Sequence, residues 1–277
     1  MTEPRHARLE PYLAPLAAFL ALLIWVGLGQ AGLLPRYIIP RPSEIGLAFY
    51  RDRQLLFFHL GVTLKESLIG LGLAVLLAWL LALLMDLVRP LYRVLYPFFV
   101  LTQTIPTIAL APILVLWLGY GILPKVLLIV LTTAFPLLVS ILDGFRHCDP
   151  DMQNLLRLMR ASPLQVLWHA KIPAALSYFY AGLRVSVSYA FIAAVVAEWL
   201  GGFEGLGVYM IRAKKLFQYD TMFAIIVLIS AISLLGMRLV QYSEVLALPW
   251  KHPERRKKRQ SSKQVTGAAP ASNNKEV

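Results

Sequence analysis

The sequence predicts an all-α, polytopic integral membrane protein with about six transmembrane helices, and three observations carry that prediction. Of the 277 residues, 58% are hydrophobic and only 15% are charged. A soluble domain is about one-quarter charged, so a single soluble core could not hide this much apolar surface. The mean hydropathy is +0.65. The apolar residues are also gathered into runs of the length that crosses a bilayer, about 20 residues in a helix. These runs cover 12–34, 60–87, 95–118, 122–142, 176–200 and 222–246.

The first run follows Arg5 and Arg8, as the apolar part of a signal peptide would. It is too long for that role, and "GQAGLLPRY" offers no small-x-small cleavage site, so it reads as a retained helix. The third and fourth runs are joined by "GYG" alone and read as a tight antiparallel pair. Orientation follows from the loop cations. With the N-terminus inside, the cytoplasmic set holds Arg5, Arg8, Arg89, Arg93, Arg146, Arg157, Arg160, Lys171 and the C-terminal cations. That set outnumbers the opposite one, which predicts that both termini are cytoplasmic.

The chain divides into a cytoplasmic segment 1–11, a transmembrane domain 12–250 and a basic tail 251–277. The tail contains "KHPERRKKRQSSK" and has no periodic apolar face. It is expected to be disordered and held near anionic membrane lipid. The net charge of +12 is thus juxtamembrane charge, and no nucleic-acid partner is expected.

Catalysis is not expected. The one cysteine, Cys148, excludes an internal disulfide framework and reads as an inert thiol. The five histidines are scattered, with no metal-binding or nucleophilic partner in sequence reach, so no metal site or cofactor is predicted. A G-x-x-x-x-G-K-[ST] phosphate loop is absent. The glycines of "GGFEGLG" read instead as a tight loop at the outer face.

Between the fourth and fifth runs lies an amphipathic connection. Asp149 is an N-cap with Pro150 at the first helical position. Met152, Leu155, Leu156 and Met159 then recur at i, i+3, i+4, i+7. Ser162, Pro163 and Gln165 spell a second cap and a capping box. Leu164, Leu167 and Trp168 form a second stripe, which Pro173 is expected to stop. The result is two short helices with a bend at 160–162, serving either as an interfacial hairpin on lipid or as a docking knob for a soluble partner.

Polar residues inside apolar runs usually face a bundle interior or a cavity. Gln103, Thr104 and Thr107 surround Pro106, and Ser188, Tyr189 and Glu198 lie on the fifth run. These are the candidate translocation-pathway residues, with helix–helix hydrogen bonding as the plainer role for each.

The connection resembles the cytoplasmic loop of permease subunits from binding-protein-dependent ABC importers, whose pattern is E-A-A-x3-G-x9-I-x-L-P. Its spacing falls here on Asn154, Leu155, Leu156, Arg160, Ala170, Ile172 and Pro173. The flanks "QTIPTIALAPILVLWLGYG", "IPAALSYFYAGLRVSVSYAFIAAVVAEWLGGFEGLGVYM" and "YDTMFAIIVLI" are similar to the branch handling nitrate, taurine, alkanesulfonates and thiamine precursors. The resemblance runs over about 39–250. "MDLVRPLYRVLYP" and "LGYGILPKVLL" look closest to permeases for thiamine-precursor pyrimidines or riboflavin.

The resemblance implies a type I importer permease in a bacterial inner membrane, non-catalytic and working as a homodimer. It also implies a separate ABC ATPase subunit and an extracytoplasmic solute-binding protein as partners. Coupling helices would lie near 149–173, with Asn154, Arg157, Arg160, Leu164, Leu167, Trp168 and Pro173 on the ATPase-docking side. Two departures stand out: Arg160 replaces the family glycine at the bend, and Asn154 replaces the family glutamate. The alternative is a self-sufficient secondary carrier or channel, but no internal repeat of the kind such carriers show is visible.

Overall fold

Proline placement and small-residue spacing account for most of the architecture in this computed structural model, which describes residues 40–249 together with 16, 17, 20 and 23–27. The expectations for 1–11, for most of the first apolar run and for the tail 251–277 lie outside the described residues. Among the described residues there are helices and no strands.

Helix α1 (Pro42–Arg51) opens with proline in its first turn, and the Arg41 N–H donates to Glu44 Oε2 at 3.0 Å. After the single residue Asp52, α2 (Arg53–Leu87) runs for 35 residues. At 1.5 Å per residue that is about 52 Å, well beyond the ~30 Å hydrocarbon core. The run expected at 60–87 is thus part of a helix that begins two turns earlier, at Arg53.

The third run is not one straight helix. It is α3 (Arg89–Thr102) and α4 (Thr107–Leu118), two arms bent by 99°. Pro106 has no N–H to donate, and its ring disfavours helical backbone at Ile105. Pro106 is the extended N-cap of the second arm, φ −60° and ψ 125°. Four continuous helices among the described residues are long and apolar enough to cross a membrane, and the bent pair makes a fifth candidate. The expected six is thus not reached within the described residues.

At the centre is α5 (Ile122–Arg146), the most buried span, flanked by α2 and by α8 (Ile172–Gly201). One face of α2 carries Gly70, Ala74, Ala78 and Ala82, which lets it lie close against Val130, Ala134, Leu137, Leu138 and Ile141 of α5. On the other side Gly182 of α8 meets Ser140, where an added Cβ would come within 2.5 Å of the hydroxyl. Small residues at such crossings are how membrane helices gain contact without a hydrophobic driving force between them.

The connection comprises α6 (Pro150–Leu158), α7 (Pro163–Val166) and a π-turn over Leu167–Lys171 that leads directly into α8. Pro173 therefore does not stop the helix as expected. It sits in the first turn of α8, and the wider π-turn before it, closed by Ile172 N–H to the Leu167 carbonyl, absorbs the backbone bond that proline cannot make. At the opposite end of the bundle, the stretch expected to be only a glycine loop starts α9 (Leu206–Lys215). Helix α10 (Tyr219–Ala247) packs on α8 and leaves a mostly apolar face, including Leu235, Leu239 and Tyr242, open at the periphery.

Candidate functional site

The connection folds as its caps dictate. Asp149 accepts from the Asp151 N–H at 2.9 Å, and Ser162 and Gln165 bond reciprocally at 2.7 and 3.3 Å. The bend between them centres on Arg160, whose φ is +55°. The Arg160 N–H donates to the Arg157 carbonyl at 2.9 Å and the Ala161 N–H to the Leu156 carbonyl at 3.0 Å. That pair of bonds is a Schellman motif. The left-handed turn that glycine would make without cost is thus made here by an arginine, which carries the strain.

The apolar stripes divide between two destinations. Met152, Leu155, Leu158, Met159, Leu164 and Trp168 are exposed, with Leu158 at 83% and Trp168 at 63%. Leu167, expected beside them, is only 3% exposed and packs in the core with Ala175. Leu167 shares its inward face with Val166 and Ala170, both buried, while Leu164 and Trp168, one turn apart, share the outward one. Asn154 and Arg160 are exposed, Pro173 is half-buried, and Arg157 borders a cavity behind the connection. Lys171 pins the connection to the end of α2 through Asp86, at 2.7 and 2.8 Å to the two carboxylate oxygens. Cys148 is buried, and burial pushes its thiol pKa up.

The interior polar residues fall in two places. Gln103 and Thr104 are exposed at the bend between α3 and α4, where Gln103 Nε2 donates to the Leu131 carbonyl at 3.3 Å and Thr104 Oγ1 to the Leu101 carbonyl at 2.8 Å. Thr107 and Ser188 are half-buried, and Tyr189 is exposed. Glu198 is elsewhere. It is 1% exposed near the end of α8, accepting from Thr63 Oγ1 at 2.6 Å and from the Gly207 N–H at 2.6 Å.

Around Glu198 lies a cluster that sequence reasoning missed. His59, Thr63 and Glu66 stand on one face of α2, each buried. Lys125 Nζ donates to Glu66 Oε1 at 2.5 Å, both side chains at 6% exposure or less. His59 Nδ1 accepts from the Gly205 N–H at 3.0 Å, and Thr63 Oγ1 from the Leu206 N–H at 2.9 Å. The donors are the first N–H groups of α9, so the cluster both caps α9 and ties it to α2 and α8. The signal was in the sequence: 59, 63, 66 and 67 continue the same helical face as Gly70, Ala74 and Ala78.

A second polar junction joins α1, α2 and α10. Arg51 Nη2 donates to Asp220 at 3.2 Å and to Thr221 Oγ1 at 2.8 Å, and Thr221 donates to Asp52 at 2.8 Å. Burial alone would raise the Asp52 pKa, but hydrogen bonds from Arg51 and Thr221 outweigh it and hold the carboxyl below its ordinary value. Tyr209 beside it is pushed up to about 12, by burial and then by the Asp52 charge.

A polytopic helical bundle with no nucleotide loop, carrying a twice-capped connection with an exposed apolar face, defines a membrane permease subunit. The chain belongs to the family described as the binding-protein-dependent transport system inner membrane component, whose profile matches residues 70–245. It is 41% identical to a probable ABC transporter permease protein of Haemophilus influenzae over 77% of this chain and 87% of that protein. It is 38% identical to the formylaminopyrimidine transport permease protein ThiX of Halalkalibacterium halodurans, over 86% of this chain and 96% of that one. The crystal structure of an amino acid ABC transporter with histidines shares the fold, with a TM-score of 0.61 at 17% identity, covering 72% of this chain and 96% of that one.

Proposed function

We propose that this chain forms the translocation pathway of an ATP-driven importer for a small heteroaromatic solute, a thiamine-precursor pyrimidine before a riboflavin-like one. It works as a homodimer with both termini cytoplasmic. A separate ATPase docks on the connection, and an extracytoplasmic binding protein delivers the solute at the α9 end. The observation that carries this reading is the row of exposed apolar side chains on α6, α7 and the π-turn. An exposed apolar face of this kind serves a protein or a membrane contact, and its place between two caps at the bundle end supports the docking reading. Its second short helix runs through the π-turn into α8 without a break, so a push on α7 moves a spanning helix.

Leu164 and Trp168 form the apolar centre of the docking face, with Asn154 and Arg160 at its edge. Leu167 and Pro173 act from behind it by setting the π-turn, and Arg157 borders the cavity at its back. Gln103, Thr104, Thr107, Ser188 and Tyr189 line the pathway. Glu198 anchors the α9 end. The solute preference rests on the likeness to the formylaminopyrimidine permease.

The test is Trp168→Asp. Co-purification of the cognate ATPase and ATP-dependent uptake of labelled formylaminopyrimidine in proteoliposomes both fall to background if the docking assignment holds. Intact co-purification with Trp168→Asp overturns the docking face. Accumulation by this chain alone, driven by an ion gradient, overturns the importer reading.

A further inference from the structure

Behind the connection is a cavity of about 760 Å³, bounded by the end of α2, by α3, by the end of α5 and by α6 and α7. Its size is within the about 300–1,000 Å³ range of ligand pockets. Four cations border it, Arg93, Arg146, Arg157 and Lys171, against one carboxylate, Asp86. The carboxylate is spent on Lys171. Arg146 lies over the Tyr92 ring, bonds its hydroxyl and has Asp143 at 3.8 Å. Among the described residues, the guanidinium groups of Arg93 and Arg157 make no hydrogen bond or ion pair. The cavity therefore presents two guanidinium groups without a counter-charge, from two different elements.

From this placement we infer that the cavity is a binding site for a phosphate-bearing anion. Guanidinium groups match phosphate oxygens in paired hydrogen bonds, where a lone ammonium offers a point charge. Basic pockets among helix ends at a membrane face are suited to anionic headgroups. The surroundings fit a lipid source: Leu87, Val88 and Val94 beside the mouth are exposed apolar side chains. A free phosphate compound shares the chemistry. Either ligand would bridge α3 to α6, adding a tie between the connection and the bundle beside the Lys171–Asp86 pair. The assignment stands on the cavity alone and does not depend on which solute is carried.

The test uses the full chain in nanodiscs of phosphatidylcholine, with or without phosphatidylglycerol. Native mass spectrometry reads the retained lipid, and thermal unfolding reads a titration with inorganic phosphate against chloride at equal ionic strength. Loss of two charge-assisted contacts weakens binding about tenfold or more. Phosphatidylglycerol retention is accordingly expected to fall by that factor in Arg93→Gln/Arg157→Gln. It is expected to be unchanged in Lys214→Gln/Lys215→Gln, which removes the same charge at the far end of the molecule. Arg93→Gln alone, away from the docking helices, lowers retention in the same direction. Retention without a phosphate effect assigns the site to a lipid headgroup, and a saturable phosphate effect without retention assigns it to a free anion. Binding that is absent in both arms, or equal in wild type and the double variant, overturns the inference.

Discussion

Replacing Lys125 by methionine leaves the Glu66 carboxylate buried without its partner. The ammonium and carboxylate meet at 2.5 Å with side chains 6% and 4% exposed, and the second Glu66 oxygen has no hydrogen-bond partner among the described residues. Opposite charges about 4 Å apart at an effective dielectric of about 20 attract by roughly 4 kcal/mol. Breaking one side of such a pair costs roughly 3–5 kcal/mol, because the survivor remains out of water. In a chain of this size that is a drop of about 10 °C in melting temperature. Unfolding followed by tryptophan fluorescence in detergent measures it. Glu66→Gln alone strands the ammonium and is expected to cost a comparable amount. The double variant Glu66→Gln/Lys125→Met recovers at least half of the loss, because neither charge is then left alone. Single variants within about 1 kcal/mol of wild type, or costs that simply add, would show that water reaches the pair and would sink the reasoning.

Arg160→Gly relieves a left-handed residue, so the α6 turn is expected to gain up to about 1 kcal/mol; slower hydrogen exchange over 150–160 supports this and faster exchange contradicts it. Gly205→Ala meets two obstacles at once, a φ of +119° and a Cβ that would overlap the Glu198 carboxyl group. The two together are expected to cost about 2–4 kcal/mol, read as lost protease resistance of α9, and a resistant variant would refute the contact. Asp52 is held below the usual carboxylate range, so its contribution to stability is full above about pH 4, the unfolded value, and is lost as pH falls through the lower folded one. Asp52→Asn should therefore flatten the acid side of the melting-temperature profile, and an unchanged acid slope would exclude the junction as its source.

The spanning segments and the connection were legible because each rests on local signals. Apolar length marks the spans, and Asp149, Ser162 and Gln165 mark caps that bond as their types require. What was not legible depended on geometry set elsewhere. The 99° bend needed Pro106 to be read as a break in a run whose hydropathy does not falter. The inward side of the second short helix, Val166, Leu167 and Ala170, is set by what it packs against, and no residue type announces the π-turn that joins it to α8. Glu198 was legible as a polar residue within an apolar run, while its partners Thr63, Glu66 and Lys125 went unread. Helical spacing groups Thr63 and Glu66 on one face of α2, but they lie 135 and 132 positions from Glu198, and Lys125 lies 73, so no spacing rule joins them to it. Arg160 was the opposite case: a residue unsuited to its position, whose left-handed backbone shows that the motif outlasts its preferred amino acid.

The segment Pro163–Gly201 is one rod of 39 residues, about 58 Å long, with a single surplus residue wound into the π-turn. Such a turn stores a residue without changing the bearing of the helices it joins. Five residues wound at about 4.4 per turn sweep nearly the same angle as four wound at about 3.6 per turn. Removing one residue from 167–171 would therefore let the rod relax to ordinary pitch, unbroken and still capped at Ser162, with Leu164 facing as it does now. Removing one from the regular helix on either side would instead turn α7 by about 100° relative to α8, so where the rod is shortened decides which way it faces.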